Sequence, residues 1–294
     1  MNIFYVTSFI TEKVSQRVIE EEELEEYLFI SSPRYDTKSE KSVSSEKIYK
    51  IKKPIKSNLV ENWSSIIRGN RKLSRLCKDK FDLYVPNTKI TNVNIIMSHK
   101  KCGEFSFIEE GFTSYCNFDS IKKPTVKAER KIKNYIAYLG VEVEKEMFEE
   151  GYKKAYGISN YSFPKWERKK VIEPKFSKGN TKFDISKKSC ILVLDSMRTI
   201  SERKQKIYLS CLSRVVSIME NKYEKVYYKL HPDNYDGIEE VVFGSTIENS
   251  ECIAEEIDKH VPIEEFAIRS GLDVIVNLSS TGLYCILYSI GALI

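Results

Sequence analysis

Hydrophobic positions fall into short blocks with two different spacings. Compact β-branched and aromatic runs recur in the first half of the chain: NIFYVTSF at 2–9, EYLFISS at 26–32, FDLYVPN at 81–87, VNIIMSH at 93–99 and EFSFIEEG at 104–111. Each is four to eight residues long and bounded by polar residues, which predicts strands. Between them, NLVENWSSIIRGNRKLSRLC at 58–77 places apolar residues at near-helical spacing, and so does the basic stretch IKKPTVKAERKIKNYIAYLGVEV at 121–143. Residues 34–47 are polar and read as a loop, and the acidic block Glu20–Glu23 with Glu25 and Glu26 reads as a solvated helical face.

From 159 to 189 the pattern lapses. That stretch holds prolines, a glycine and many lysines with no period, and reads as a linker. A second strand–helix series follows. SCILVLDSM and KVYYKLHPDNY read as strands, SERKQKIYLSCLSRVVSIMEN as a helix with Ser201 as a possible N-cap, and PIEEFAIRSG as a short helix opened by Pro262 and stopped by Gly271. The last block, DVIVNLSSTGLYCILYSIGALI, reads as a strand, a small polar turn and an apolar segment. Two β/α blocks joined by a polar linker predict an α/β fold of two Rossmann-like domains facing one cleft, residues 1–165 and 185–294.

Size and composition agree with this division. At 294 residues the chain is long for one core, and 41% hydrophobic residues suffice for two. The net charge of +5 suits an anionic ligand or membrane surface, whereas scattered lysines without zinc-finger or basic-region spacing argue against a nucleic-acid partner. The seven cysteines are odd in number and form no CxxC pair, as expected of free thiols in a reducing compartment. The first residues show no leader pattern, and no apolar run reaches the ~20 residues a spanning helix needs. The expected location is cytoplasmic. The basic helix near 121–143 is ordinarily a surface helix with its apolar side on the core; its alternative is a peripheral contact with the inner membrane.

In open α/β sheets ligands bind beyond the carboxyl ends of the strands, and three polar motifs fall there. Glu109-Glu110-Gly111 closes FSFIEEG. Strand alternation puts the two acids on opposite sides, so one is expected to face the cleft and the other to brace the turn. Adjacent acids repel and partial burial disfavours charge, while Gly111 permits a tight turn; a solvated strand end is the plain alternative. His231-Pro232 ends YYKLHP, with Lys229 two residues earlier on the same side of the strand. That pair suits a phosphate oxygen; a purely structural strand end is the plain alternative. Ser279, Ser280 and Thr281 open a helix after DVIVNL, where hydroxyls and unpaired amides both cap helices and bind phosphate. Of the other histidines, His99 is expected at the surface and His260 in a loop.

Taken in order, FIEEGFTSY, YYKLHP and NLSSTG resemble the acid-acid-glycine, His-Pro and Ser-Ser/Thr motifs of bacterial sialyltransferases, in particular the α-2,8-polysialyltransferase-like group and its lipooligosaccharide-modifying relatives. VPIEE lies between the last two, as a Pro-x-Glu motif does in these families. The resemblance spans about residues 105–285. It implies a GT-B fold and an inverting transfer, without metal or other cofactor, of sialic acid from CMP-sialic acid to a hydroxyl of a capsule- or lipooligosaccharide-type glycan. Glu109 or Glu110 would then be the general base, and His231 would support the leaving phosphate. Ser279, Ser280 and Thr281 would hold that phosphate, and Glu264 would bind the cytidine ribose. The alternatives are a transferase for another CMP-activated nonulosonic acid such as Kdo, one for a nucleoside diphosphate sugar, and a non-catalytic nucleotide- or sugar-binding relative. The given sequence stops at YSIGALI, where GT-B enzymes commonly continue into helices that cross back onto the first domain; the expectation is either a minimal second domain or a truncated chain.

Overall fold

The computed structural model describes residues 1–33, 35, 37, 39–115, 128–143, 148, 150–173, 189–194, 202–230, 253–257 and 275–277. The chain divides into two compact units, Met1–Lys175 and Phe176–Ile294.

The first unit is a seven-stranded sheet. In chain order its elements are β1 (Asn2–Val6), α1 (Phe9–Glu21), β2 (Tyr27–Ser31), β3 (Ser42–Ser44), α2 (Ser45–Ile48), α3 (Leu59–Leu76), β4 (Phe81–Val85), α4 (Thr91–Met97), β5 (Cys102–Ile108), α5 (Ala128–Ala137), β6 (Ala155–Gly157) and β7 (Lys169–Val171). The strands lie in the order β3-β2-β1-β4-β5-β6-β7, and every pair is parallel. β1 is the middle of the growth pattern: the chain builds outward to β2 and β3, then returns to β4 on the other side. Buried on both faces, β1 carries an unbroken run of Ile3, Phe4, Tyr5 and Val6, all at most 1% exposed, as expected for an inner strand of a parallel sheet. The register Phe4↔Tyr84 and Val85↔Phe107 brings the carboxyl ends of β1, β4 and β5 to one edge.

Four segments, and His99 within the first of them, differ from their sequence patterns. Residues 93–97 of that run belong to helix α4, not a strand, with Ser98 as its C-cap; Val93, Asn94, Ile95 and Ile96 are all buried. A short apolar run cannot be assigned by period alone. Here the parallel pairing of β4 with β5 settles it, because such a connection needs a crossover and not a further strand. His99, expected at the surface, is 4% exposed. Its Nε2 lies 3.0 Å from Ser74 Oγ and 3.2 Å from Asn70 O, and its Nδ1 accepts from Lys101 N at 3.1 Å. The polar stretch 34–47 contains β3 and the start of α2 rather than loop alone.

The segment read as a linker begins too early. Residues 159–173 fold onto the first unit, and β7 extends its sheet beyond residue 165. The cause is aromatic packing hidden among the lysines. Trp166 lies edge-on to Phe107 and Phe148, at centroid separations of 5.4 and 5.2 Å, and 4.9 Å from Phe163. Such pairs contribute about 0.5–1.5 kcal/mol each beyond their buried area.

The acidic block is likewise more than a solvated face. Arg17 pairs with Glu20 and Glu21, and Glu22 Oε1 receives Lys154 and Lys170 at 3.1 Å each. Burial pushes the Glu22 carboxyl up, but the two lysines outweigh it and hold it below its usual value. These cations offset the cost of acids at the negative end of the α1 dipole.

The second unit contains β8 (Ser189–Val193), α6 (Glu202–Glu220), β9 (Lys225–Lys229), β10 (Ile253–Glu256) and β11 (Ile275–Asn277). Its sheet order is β10-β9-β8-β11, again parallel throughout. Its core is Cys190, Leu192 and Leu194 of the β8 run against Leu212, Val216 and Met219 of α6. β10 has no counterpart in the sequence pattern, since only Cys252, Ile253 and Ala254 interrupt its acids. Ser201 and the Pro262–Gly271 stretch lie outside the described residues.

Candidate functional site

The glutamate pair leaves β5 at the carboxyl edge of the first sheet, and its two members go opposite ways. Glu109 is fully buried. Its amide donates to Tyr156 O at 3.0 Å, which continues the ladder to β6. Its Oε2 accepts from Ile158 N at 2.7 Å and from Ser162 Oγ at 2.6 Å. Glu109 therefore closes the loop that follows β6. Gly157 makes room for this: a Cβ there would collide with Ser162 Cβ and come within 3.4 Å of Glu109 Oε2.

Glu110 is half-buried and turns the other way. Its Oε1 accepts from Thr7 Oγ1 at 2.8 Å and its Oε2 from Asn87 Nδ2 at 2.6 Å. Thr7 follows β1, Asn87 follows β4, and Glu110 follows β5. One carboxylate thus gathers the ends of three adjacent parallel strands. It does so where the chain has grown away from β1 in both directions, the switch point at which open α/β sheets form a binding crevice.

Each partner is itself fixed. Thr7 N and Ser8 N both donate to Thr11 Oγ1 at 2.9 Å, and Ser8 Oγ accepts from Thr11 N, which makes a capping box at the start of α1. Asn87 is buried, and its Oδ1 accepts from Lys89 N at 3.0 Å. On the far side, Glu110 N donates to Ser114 Oγ at 3.3 Å and Ser114 N to Gly111 O at 2.9 Å. Gly111 has φ +147, which only glycine adopts without strain, and among the described residues nothing stands within 4 Å of where its Cβ would be. Below lies Tyr5, 1% exposed. Burial pushes its hydroxyl above its ordinary value; hydrogen bonds with Ser45 and Asn92 pull it back, and the charge of Glu110 adds to the rise.

This arrangement can hold and orient a hydroxyl. Among the described residues, two of the roughly four acceptor positions of the Glu110 carboxylate are taken, by Thr7 and Asn87, which leaves the others to receive an O–H. Thr7, Asn87 and Tyr5 escaped the sequence reading because none forms a motif. The signal that could have found Thr7 and Asn87 is their position: each is the first side-chain hydrogen-bonding residue after a strand.

In the second sheet, Lys229 is buried at the end of β9. Its register with Val193, and that of Val193 with Asn277, aligns the carboxyl ends of β9, β8 and β11. His231, Pro232, Glu264, Ser279, Ser280 and Thr281 lie outside the described residues. Among the described residues no three His, Cys, Asp or Glu side chains come together as a metal-ligand set, and no helix is long and apolar enough to cross a membrane. Cys77, Cys102, Cys190 and Cys211 are free thiols, and burial pushes Cys77 up to about 11 and Cys102 to about 12.

No protein-family model matches the chain, and no curated protein does. Solved structures do. UDP-GlcNAc 2-epimerase from Methanocaldococcus jannaschii, in complex with UDP-GlcNAc and UDP, superposes with a TM-score of 0.50 at 10% identity, covering 95% of this chain and 79% of that one. The GT-B domain of a sialyltransferase from Photobacterium damselae gives a TM-score of 0.49 at 10% identity, over 97% of this chain and 88% of that one. The calicheamicin glycosyltransferase CalG4 gives 0.49 at 10%, over 98% and 77%. The fold is of GT-B type. At these identities the likeness concerns the fold alone.

Proposed function

We propose that the chain is an inverting glycosyltransferase that moves sialic acid from CMP-sialic acid to a hydroxyl of a glycan acceptor, with Glu110 as the general base. The observation that carries this reading is the Glu110 carboxylate, held by Thr7 and Asn87 at the switch point of a parallel sheet in a GT-B-type chain. A base must be aimed as well as basic, and two fixed donors aim this one. The acceptor O–H would donate to Glu110; as its oxygen attacks the anomeric carbon, the proton passes to the carboxylate and the bond to CMP breaks on the opposite face.

The choice of donor sugar nucleotide rests on the sequence motifs. In this reading the second unit holds CMP. His231 stabilises the leaving phosphate, Ser279, Ser280 and Thr281 donate hydrogen bonds to it, Lys229 adds charge, and Glu264 binds the ribose. Donors placed where charge develops lower the barrier without a metal ion. Glu109 has a different task, keeping the β6 loop closed so that the β5 end presents Glu110.

The test is mass spectrometry of the full chain with a glycan acceptor panel and three donors: CMP-sialic acid, CMP-Kdo and a UDP-sugar. The expected result is an acceptor heavier by one or more sialic acid residues, with CMP released. Transfer from CMP-Kdo or the UDP-sugar alone would overturn the sialic acid assignment but leave a transferase. CMP-sialic acid binding without transfer to any acceptor would favour a non-catalytic protein.

A further inference from the structure

Helix α5 is apolar on two sides, and only one of them is packed. Asn134, Ala137 and Tyr138 face inward and are at most 4% exposed. Ile132, Tyr135 and Ile136 stand at i, i+3 and i+4, the spacing of one helical stripe, yet they are 60, 56 and 51% exposed, and Leu139, just past the helix end, is 42% exposed. Among the described residues this second apolar side, Ile132, Tyr135 and Ile136, stays more than half exposed. At about 100° per residue, Lys131 and Lys133 fall on the two borders of the stripe, and both are exposed.

The patch continues onto α3. Trp63 Nε1 donates to Ile136 O at 2.8 Å and joins the two helices. The outward face of α3 exposes Val60 and Ile67 together with Arg68 and Arg71. Of the acids nearby, Glu61 is paired with Lys52, and the exposed Glu129 and Glu142 are outnumbered by Lys131, Lys133, Arg68 and Arg71. Beside the stripe lies a recess of about 360 Å³, lined by Lys131, Ile132, Tyr135, Glu142 and Val143.

We infer that this face docks on an anionic membrane surface, with the Ile132, Tyr135 and Ile136 stripe entering the headgroup boundary and the flanking lysines and arginines meeting lipid phosphates. An apolar stripe bordered by cations is the combination that binds such interfaces. The alternative occupant is a second copy of the chain. Charge speaks against it, since a two-fold contact through this face would oppose the same cations to one another. This inference is independent of the donor and of the reaction.

The test is sedimentation of the full chain with vesicles of phosphatidylcholine alone, and of phosphatidylcholine with phosphatidylglycerol at about a third of the lipid. Binding is expected only to the second, weakening as salt rises to about 0.5 M. Ile132→Ser/Ile136→Ser alters exposed positions, so its melting temperature should match that of the parent, while vesicle binding falls by about tenfold or more. Lys131→Gln/Lys133→Gln should weaken binding and make it less sensitive to salt. Equal affinity for both vesicles, no binding to either, or binding unchanged in both variants would overturn the inference. So would a concentration-dependent dimer in light scattering that Ile132→Ser/Ile136→Ser abolishes, which would assign the face to a second copy.

Discussion

A carboxylate without exposure must take its hydrogen bonds from the protein, and Glu109 takes them from Ile158 N and Ser162 Oγ. Its neighbour meets Thr7 and Asn87, just beyond the ends of β1 and β4, instead. The space that admits Ser162 beside Glu109 exists because residue 157 has no side chain. Gly157→Ala should therefore destabilise the first unit by about 1–3 kcal/mol, the usual penalty for an inserted group in a packed site. A thermal melt would read this as a fall of several degrees, and an unchanged melting temperature would contradict the close packing. The opposite facing of the two acids was legible from the period-two geometry of a strand. Which acid faced which way was not, because it depends on Ser162, Thr7 and Asn87, each dozens of residues distant in sequence. The roles of His231, Glu264 and Ser279–Thr281 rest on their motifs.

At the scale of elements, the strands with alternating or continuous apolar runs were readable, and so were α3 and α5 with their helical spacing. The failures have physical causes. Residues 93–99 pair a short apolar run with no turn signal, and only the parallel neighbours on either side require a helix. The stretch 159–172 hides Phe163 and Trp166 among lysines, and their packing against Phe107 and Phe148 is a tertiary fact. His99 fails for a related reason, since the groups that bury it come from α3. Burial holds its imidazole below the ordinary value, against the bond to Asn70 O that raises it, and Lys101 and Lys100 lower it further. The folded state thus excludes a proton that the unfolded chain accepts. Stability from this site is complete above the unfolded value near 6.5 and is lost as pH falls below it. Denaturant titrations between about pH 7 and pH 5 should show declining stability, and a shallower decline in His99→Gln. An equal decline in both would place the acid sensitivity elsewhere.

The molecule has two α/β units, each built on a parallel sheet, with strand orders β3-β2-β1-β4-β5-β6-β7 and β10-β9-β8-β11. Both grow from a central strand to one side and then to the other, so both present a switch point at the carboxyl edge. The series of β/α blocks was legible in the sequence. The order of strands within each sheet was not, since pairing between segments far apart leaves no local period. In the first unit that edge carries Glu110; in the second, the ends of β9 and β11 lead toward the His-Pro and Ser-Ser-Thr motifs. The division of labour proposed between them, acceptor activation by the first and CMP binding by the second, is most directly tested by the turnover of Glu110→Gln with CMP-sialic acid and a sialylatable glycan, read against the parent chain. The expected result is a loss of about a hundred- to ten-thousand-fold in turnover, with CMP affinity and melting temperature near those of the parent. Turnover in Glu110→Gln close to that of the parent would contradict the assignment of Glu110 as the base.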